Sequence, residues 1–352
     1  MLTDGAGFRF ILTMPPTSLD SGFYPAAISA SAFAASSHHA AGTSVMNPDR
    51  EAETGPGFSR RRFLGALAAL GATIPAELTR AVEPFARKGD ARFPLSLAAY
   101  SFRDSFKDPA KMDFYRFLDL CADLKLGGAE LTSYYFKKDV NDTELLRVRR
   151  HAFLRGVAVS GTAVGNNFAL PDGPELEREK EGVRQWIDRA AVLGAPHIRV
   201  FAGSAKGLDE AAGRRQVIKS LEECGDYAGK KGIFLGIENH GGVVATAEGL
   251  LEIVKAVQSP WIGVNLDTGN FHSADSYADL AKCAPWAVNV QVKVEMKRAG
   301  AKEAEPADYQ RLAKILRDAR YQGWVALEFE AKADPFEAVP QHIKAMQAAF
   351  AS

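Results

Sequence analysis

From Phe93 onward the chain repeats one unit, a short run rich in β-branched and aromatic residues followed by a longer amphipathic stretch. The β-rich runs are Leu95–Tyr100, Gly128–Thr132, Ala158–Val164, Ile198–Phe201, Phe234–Glu238, Ile262–Asp267, Val288–Val292 and Val325–Glu330. Their starts fall roughly thirty residues apart, which leaves room for one helix and two loops each time. Strands that alternate with helices pair in parallel, because a parallel neighbour is reached only by a crossover. Helices are expected over Glu175–Leu193, Gly207–Lys231 and Pro306–Tyr321. The first follows Pro174, and Gly232 and Gly323 stop the other two. Eight such units in about 260 residues predict an α/β fold, a (β/α)8 TIM barrel. An open doubly wound sheet is the competing architecture. Its dinucleotide-binding form needs a glycine-rich turn after the first strand, and Ala99-Tyr100-Ser101-Phe102-Arg103 has no glycine.

The residues ahead of the barrel read differently. Residues 1–57 are rich in Ala, Ser, Gly and Pro and show no sustained period. Ser59-Arg60-Arg61-Arg62-Phe63-Leu64 then leads into an apolar run from Gly65 to Ile74. That is the composition of a twin-arginine export signal, with Gly65 standing where a lysine is frequent. The run is too short for a bilayer-spanning helix, which takes roughly twenty residues, so no stable membrane anchor is expected. The arginine pair lies far from residue 1 for such a signal, and Met46 is the expected true start. Cleavage is expected between about Ala72 and Ala91. The expected organisation is an extension and signal over 1–90 and a single catalytic barrel over 91–352. The twin-arginine export machinery would deliver that barrel to the periplasm or the extracellular space.

Lys plus Arg and Asp plus Glu each total 43, giving zero formal charge. No basic surplus marks the chain for nucleic acid or an anionic membrane. Cys121, Cys224 and Cys283 are scattered with no CxxC spacing, which suits neither a disulfide framework nor a zinc site. They read as small buried hydrophobes. Composition leaves room for a homo-oligomer.

In a barrel of this kind the active site is built at the C-terminal ends of the strands. The fifth strand ends Gly236-Ile237-Glu238-Asn239-His240 and the sixth Val264-Asn265-Leu266-Asp267-Thr268-Gly269-Asn270. The seventh reads Val288-Asn289-Val290-Gln291-Val292-Lys293 and the eighth Trp324-Val325-Ala326-Leu327-Glu328-Phe329-Glu330. Charged residues that close apolar strands are costly to bury unless they are paired or bind a cation. Glu238, Asp267 and Glu328, with the amide oxygen of Gln291, would make a hard, oxygen-rich site on four consecutive strands. Such a site suits Mn2+ or Mg2+, with Co2+ or Zn2+ less favoured.

Other polar residues surround that quartet. His240 lies two residues past Glu238 and so on the same side of an extended segment, where it could bind a substrate hydroxyl or act as acid or base. His197 opens the fourth strand at the far end of the barrel, where a structural role is expected, and His272 sits in the loop after the sixth. Of Lys293 and Lys297, one is expected to face the mouth and hold a carbonyl or carboxylate oxygen, while Lys297 and Arg298 otherwise read as solvated charges. Tyr100, Phe102, Tyr134, Tyr135, Asn166, Asn167 and Phe168 follow the first three strands. Their rings and amides suit a sugar face or packing under loops, and Tyr100 and Asn166 are the substrate-binding candidates.

Ile237-Glu238-Asn239-His240, Leu266-Asp267-Thr268-Gly269-Asn270 and Leu327-Glu328-Phe329-Glu330 carry a resemblance. The chain resembles the xylose isomerase-like sugar phosphate isomerase/epimerase family, which includes ketose 3-epimerases and, more distantly, AP endonucleases. The resemblance runs from about Phe93 to Phe350 and implies one divalent metal held by Glu238, Asp267, Gln291 and Glu328. Two positions depart from the epimerases: Gln291 stands for the usual histidine, and Asn270 stands where a substrate-binding histidine often follows the strand-six aspartate. A glutamine at that place resembles the 3-dehydroshikimate dehydratase branch.

The chemistry implied is proton abstraction next to a carbonyl, with Glu238 and Glu328 as the catalytic carboxylates on opposite sides of the carbon. Reprotonation of the enediolate gives isomerisation or epimerisation. Expulsion of a β-substituent gives a lyase, acting on a 3-keto-glycoside or a dehydroshikimate-like compound. An exported enzyme meets few phosphorylated metabolites, so an unphosphorylated sugar or keto-sugar is the expected substrate. Two other classes are weighed: a three-metal DNA-cutting relative, which would need many more histidines, and a non-catalytic periplasmic sugar-binding barrel, which would not need the quartet.

Overall fold

The computed structural model describes residues 82–351; Met46, the arginine pair and the apolar run after it lie outside the described residues. In chain order the strands are β1 (Leu95–Ala98), β2 (Gly128–Thr132), β3 (Ala158–Ala163), β4 (His197–Phe201), β5 (Phe234–Glu238), β6 (Ile262–Asp267) and β7 (Ala287–Val292). A short ribbon of β8 (Glu295–Met296) and β9 (Glu305–Pro306) follows, and β10 (Val325–Leu327) is the eighth barrel strand. The barrel closes in the order β1-β10-β7-β6-β5-β4-β3-β2, all parallel, so each strand pairs with its sequence neighbours and the last pairs with the first. This is the (β/α)8 TIM barrel that the spacing predicts.

Eight helices wrap it: α1 (Phe114–Asp123), α2 (Asp142–Leu154), α3 (Pro174–Leu193), α4 (Glu210–Gly229), α5 (Ala247–Ala256), α6 (Ser276–Cys283), α7 (Tyr309–Asp318) and α8 (Pro335–Phe350). Two begin three residues later than their patterns suggest. At α4 and α7 the side chains of Asp209 and Asp308 accept from the backbone N–H of Ala212 and Arg311. Such a cap satisfies a free donor of the first turn and is worth about 1 kcal/mol, so the aspartate sets the start. At the first strand, Ala99–Phe102 turn into a 3-10 helix instead of extending to Tyr100. Strand β10 ends at Leu327, and Glu328 stays in line because its N–H still reaches the Val292 carbonyl at 2.9 Å.

Residues 82–94, most of which the sequence places ahead of the barrel, cross its N-terminal end. Val82 bonds the Val257 carbonyl at 3.1 Å and accepts from the Trp286 indole at 3.0 Å, while Phe85 packs edge-on against Phe234 at 5.8 Å. Arg92 bonds the Tyr321 carbonyl at 3.0 Å. This segment thus plugs the end opposite the carboxylates. The three cysteines are free and buried in helices, as their apolar surroundings suggest. Among the described residues no helix is long and apolar enough to cross a membrane.

The barrel interior is polar where most cores are not. Asn265 and Asn289, both fully buried, point inward from β6 and β7, and Glu130, 1% exposed, faces them from β2. Room for these groups comes from glycines. A Cβ on Gly161 would lie 2.0 Å from the ring of His197, so only glycine lets that histidine fill the lower interior.

Candidate active site at the carboxylate mouth

Side-chain bonds to backbone stitch the strand ends together and so fix where each functional group points. The Asn239 amide donates to the Asp267 carbonyl and accepts from its N–H, both at 2.9 Å, locking the end of β5 to the end of β6. Thr268 Oγ1 accepts from the Lys293 N–H at 2.9 Å, joining β6 to β7. Ser101 Oγ accepts from the Phe329 N–H at 2.9 Å, joining β10 to the turn after β1. Backbone held at both ends costs little further entropy when substrate binds.

Glu238, Asp267 and Glu328 then converge at the mouth, 3%, 0% and 5% exposed. Glu238 pairs with Arg199 at 2.9 Å through one oxygen and accepts from the Asn270 amide at 2.9 Å through the other. Arg199 is itself buried, bonded to Tyr134 Oη at 3.2 Å and the Val164 carbonyl at 2.9 Å, with its guanidinium 4.0 Å from the Phe201 ring centre. Lys293 reaches Glu328 at 2.6 Å and Asp267 at 3.2 Å, and also contacts Glu330.

Burial is the largest influence on every carboxyl here, and the cations divide the outcome. Burial pushes Glu238 up, and repulsion from Glu328 adds to this against the pull of Arg199. Asp267 is raised well above the ordinary range by burial, despite Lys293. Burial also acts on Glu328, but Lys293 and Arg199 outweigh it and hold this carboxyl below its usual value. Asp267 and Glu328 are thus shifted in opposite directions, because Lys293 bonds Glu328 at 2.6 Å and reaches Asp267 only at 3.2 Å.

Gln291 lies elsewhere. Its amide nitrogen donates to Glu130 at 2.7 Å and its oxygen accepts from Asn265 at 2.6 Å. Asn289 closes the circuit with bonds to Asn265 at 2.8 Å and Glu130 at 2.9 Å. Gln291 therefore belongs to a ring of four side chains beneath the mouth, with its amide nitrogen and oxygen each hydrogen-bonded. It lies within β7, whereas Lys293 follows the end of that strand at Val292.

The ring makes stability depend on pH. Glu130 is pushed up to about 7 by burial and by Glu328, while Arg199, Gln291 and Asn289 pull the other way. A carboxyl whose folded value is raised stabilises the fold while protonated, and that contribution disappears as pH rises through the folded value. From 4.5 to about 7 the full effect is about 3 kcal/mol. The stability difference between wild type and Glu130→Gln, from urea melts, should accordingly fall by about 2–3 kcal/mol between pH 5 and pH 8. A difference that is flat with pH would remove this role from Glu130.

The other candidates separate cleanly. Asn270 is half-buried on Glu238, and with the exposed His240 and His272 it lines a cavity of about 520 Å3 beside the carboxylates. The His240 ring packs at 4.8 Å on Phe201. Lys297 is exposed and, with Lys293 and Glu330, lines an adjoining cavity of about 230 Å3 walled by the β8–β9 ribbon. Tyr100 is half-buried near Glu330, with Arg103 5.5 Å from its ring centre. Asn166 does not face the mouth as a free amide: it donates to the Phe201 carbonyl at 2.7 Å and accepts from its N–H at 2.9 Å, so it clamps the end of β4. Phe102 and Phe168 are buried packing residues. His197 is buried in the lower interior, as its place at the start of β4 suggests. Another cavity, of about 910 Å3, lies at the opposite end around Arg92, Arg317 and Arg320, far from this chemistry.

Arg199, Glu130, Asn239 and Glu330 were not singled out from sequence. Arg199 had a visible signal, a charge between Ile198 and Val200 inside an apolar strand.

Residues 118–349 match the family model described as xylose isomerase-like TIM barrel. No curated protein matches the sequence. A crystal structure of D-psicose 3-epimerase in the presence of D-fructose superposes with a TM-score of 0.63 at 17% identity, covering 74% of this chain and all of that one. The apo form of 3-keto-D-glucoside 4-epimerase from E. coli gives 0.55 at 13% identity, covering 73% of this chain and 100% of that one. The probable 3-DHS dehydratase involved in petrobactin synthesis from Bacillus anthracis gives 0.54 at 15% identity, covering 74% and 99%. At these identities the likeness is one of fold.

Proposed function

The chain belongs to the xylose isomerase-like TIM barrel family, and on that footing we propose that it is a divalent-metal-dependent isomerase or epimerase of an unphosphorylated sugar or keto-sugar, working through an enediolate. The observation that carries this reading is the pair Glu238 and Glu328, two buried carboxylates separated by β6 and β7 across one mouth, with Asp267 between them. In a sugar oriented between them, one takes the proton next to the carbonyl and the other returns it from the opposite side. Arg199 and Asn270 orient Glu238, and His240, Asn270 and His272 offer polar contacts to sugar hydroxyls.

The donor set fits a divalent cation in kind and in charge. Four carboxylates, Glu238, Asp267, Glu328 and Glu330, face two cations, Arg199 and Lys293, a formal excess of two negative charges. Asp267 Oδ2 is buried without a hydrogen bond, although the Lys293 ammonium lies 3.2 Å away. Glu238, Asp267 and Glu328 would hold the ion, Mn2+ before Mg2+, Co2+ or Zn2+. Bound there, it would supply a Lewis acid for the carbonyl oxygen and its neighbouring hydroxyl.

The proposal extends to location. The Ser59-Arg60-Arg61 segment reads as a twin-arginine signal, which would place the enzyme in the periplasm or outside the cell, where phosphorylated sugars are scarce. The test is proton NMR in D2O with Mn2+ present, against free ketoses, 3-keto-glycosides and dehydroshikimate. Deuterium entering a substrate that yields its epimer or isomer is the expected result, lost on dialysis against EDTA and regained with Mn2+. Loss of a β-substituent instead would assign a lyase. No deuterium in any compound would sink the enediolate mechanism for them.

A further inference from the structure

We infer that Lys293 is a displaceable internal cation: its ammonium fills the place between Asp267 and Glu328 that a divalent ion would take, and shifts onto Glu330 when the ion enters. This inference rests on the metal reading above and concerns how this chain admits the ion.

Three observations support it. The ammonium has three N–H donors and meets three carboxylates, Glu328 at 2.6 Å, Asp267 at 3.2 Å and Glu330. Oxygens that surround an ammonium stand further from its nitrogen than those around Mg2+, which sit at about 2.0–2.1 Å from the ion.

The lysine stem is also built into the mouth. Its N–H bonds Thr268 Oγ1 at 2.9 Å, and a Cβ on Gly269 would lie 2.6 Å from Lys293 Cγ. Glycine at 269 therefore lets the stem lie flat and aims the ammonium inward. Finally, the ammonium has somewhere to go. The Glu330 side chain is 38% exposed against 7% for Glu328, so it offers a second carboxylate on the solvent side. With two negative charges in excess, ion and ammonium can share the mouth once they separate.

The experiment is Mn2+ binding by calorimetry and by electron paramagnetic resonance, on wild type, Lys293→Met and Glu330→Gln. Lys293→Met should bind Mn2+ about tenfold or more tightly, because no internal charge competes for the carboxylates. Glu330→Gln should bind it more weakly, because the ammonium loses its alternative partner. Lys293→Met without metal should melt earlier than wild type, with Mn2+ restoring its melting temperature; Lys293→Gln serves in its place if the methionine variant does not fold. Binding to wild type with Lys293→Met no tighter would overturn this inference and leave the metal reading standing. No Mn2+ bound by any of the proteins would overturn both.

Discussion

Glu328→Gln is expected to lower turnover of the identified substrate by about 10²–10⁴-fold, the range that a positioned acid or base contributes. Glutamine keeps the shape of the side chain and removes its negative charge, and with it the ability to take or return a proton. Lys293 keeps Asp267 and Glu330 as partners in the variant, so its ammonium is not stranded. The melt should therefore stay close to that of wild type, and substrate should still bind. That combination separates an enzyme from a sugar-binding barrel, in which the change would alter affinity and nothing else. Turnover within a few-fold of wild type, with the fold intact, would take proton transfer away from Glu328.

Arg199→Met carries the second large effect, on stability first and activity with it. Arg199 and Glu238 are 4% and 3% exposed and stand 2.9 Å apart. Methionine fills much of the volume but leaves a buried carboxylate facing Glu328 and Glu130. Breaking one side of a buried pair costs about 3–5 kcal/mol, mainly because the remaining charge is stranded. Glu238 can relieve this by taking a proton, which removes it from acid-base work. Urea melts should show the loss, and kcat should fall in parallel. Arg199→Lys should recover part of the stability, since it keeps the charge but not the planar fork that also reaches Tyr134 and Val164. A loss below about 1 kcal/mol for the methionine variant would mean that the pair is not coupled as the distance implies.

Much of the fold was legible because the barrel is a local pattern repeated. Each strand announces itself over four to seven residues, and strands that follow one another in sequence are also neighbours in space. The two misjudged helix starts share a cause. Asp209 and Asp308 start helices through one side-chain bond each, which outweighs the apolar periodicity that suggests earlier starts. The plug formed by residues 82–94 was invisible because its contacts, with Val257, Pro285 and Tyr321, lie far away in the chain.

The site divides along the same line. Sequence alone determined that Glu238, Asp267 and Glu328 end strands five, six and eight, and hence that they share the C-terminal mouth, because strand parity and barrel topology leave no other place for them. Only the tertiary structure decided what each side chain touches. Gln291 lies within β7 and Lys293 just past its end, two residues further along the chain. One bonds Glu130, 161 residues away, in the ring below, and the other reaches Glu328 at the rim. Depth along the barrel axis separates their roles, and depth depends on the stagger of eight strands against one another. No local pattern encodes that stagger, so sequence could bring the four residues to one end of the barrel but could not show that Glu238 pairs with Arg199, that Asp267 and Glu328 meet Lys293, or that Gln291 bonds Glu130.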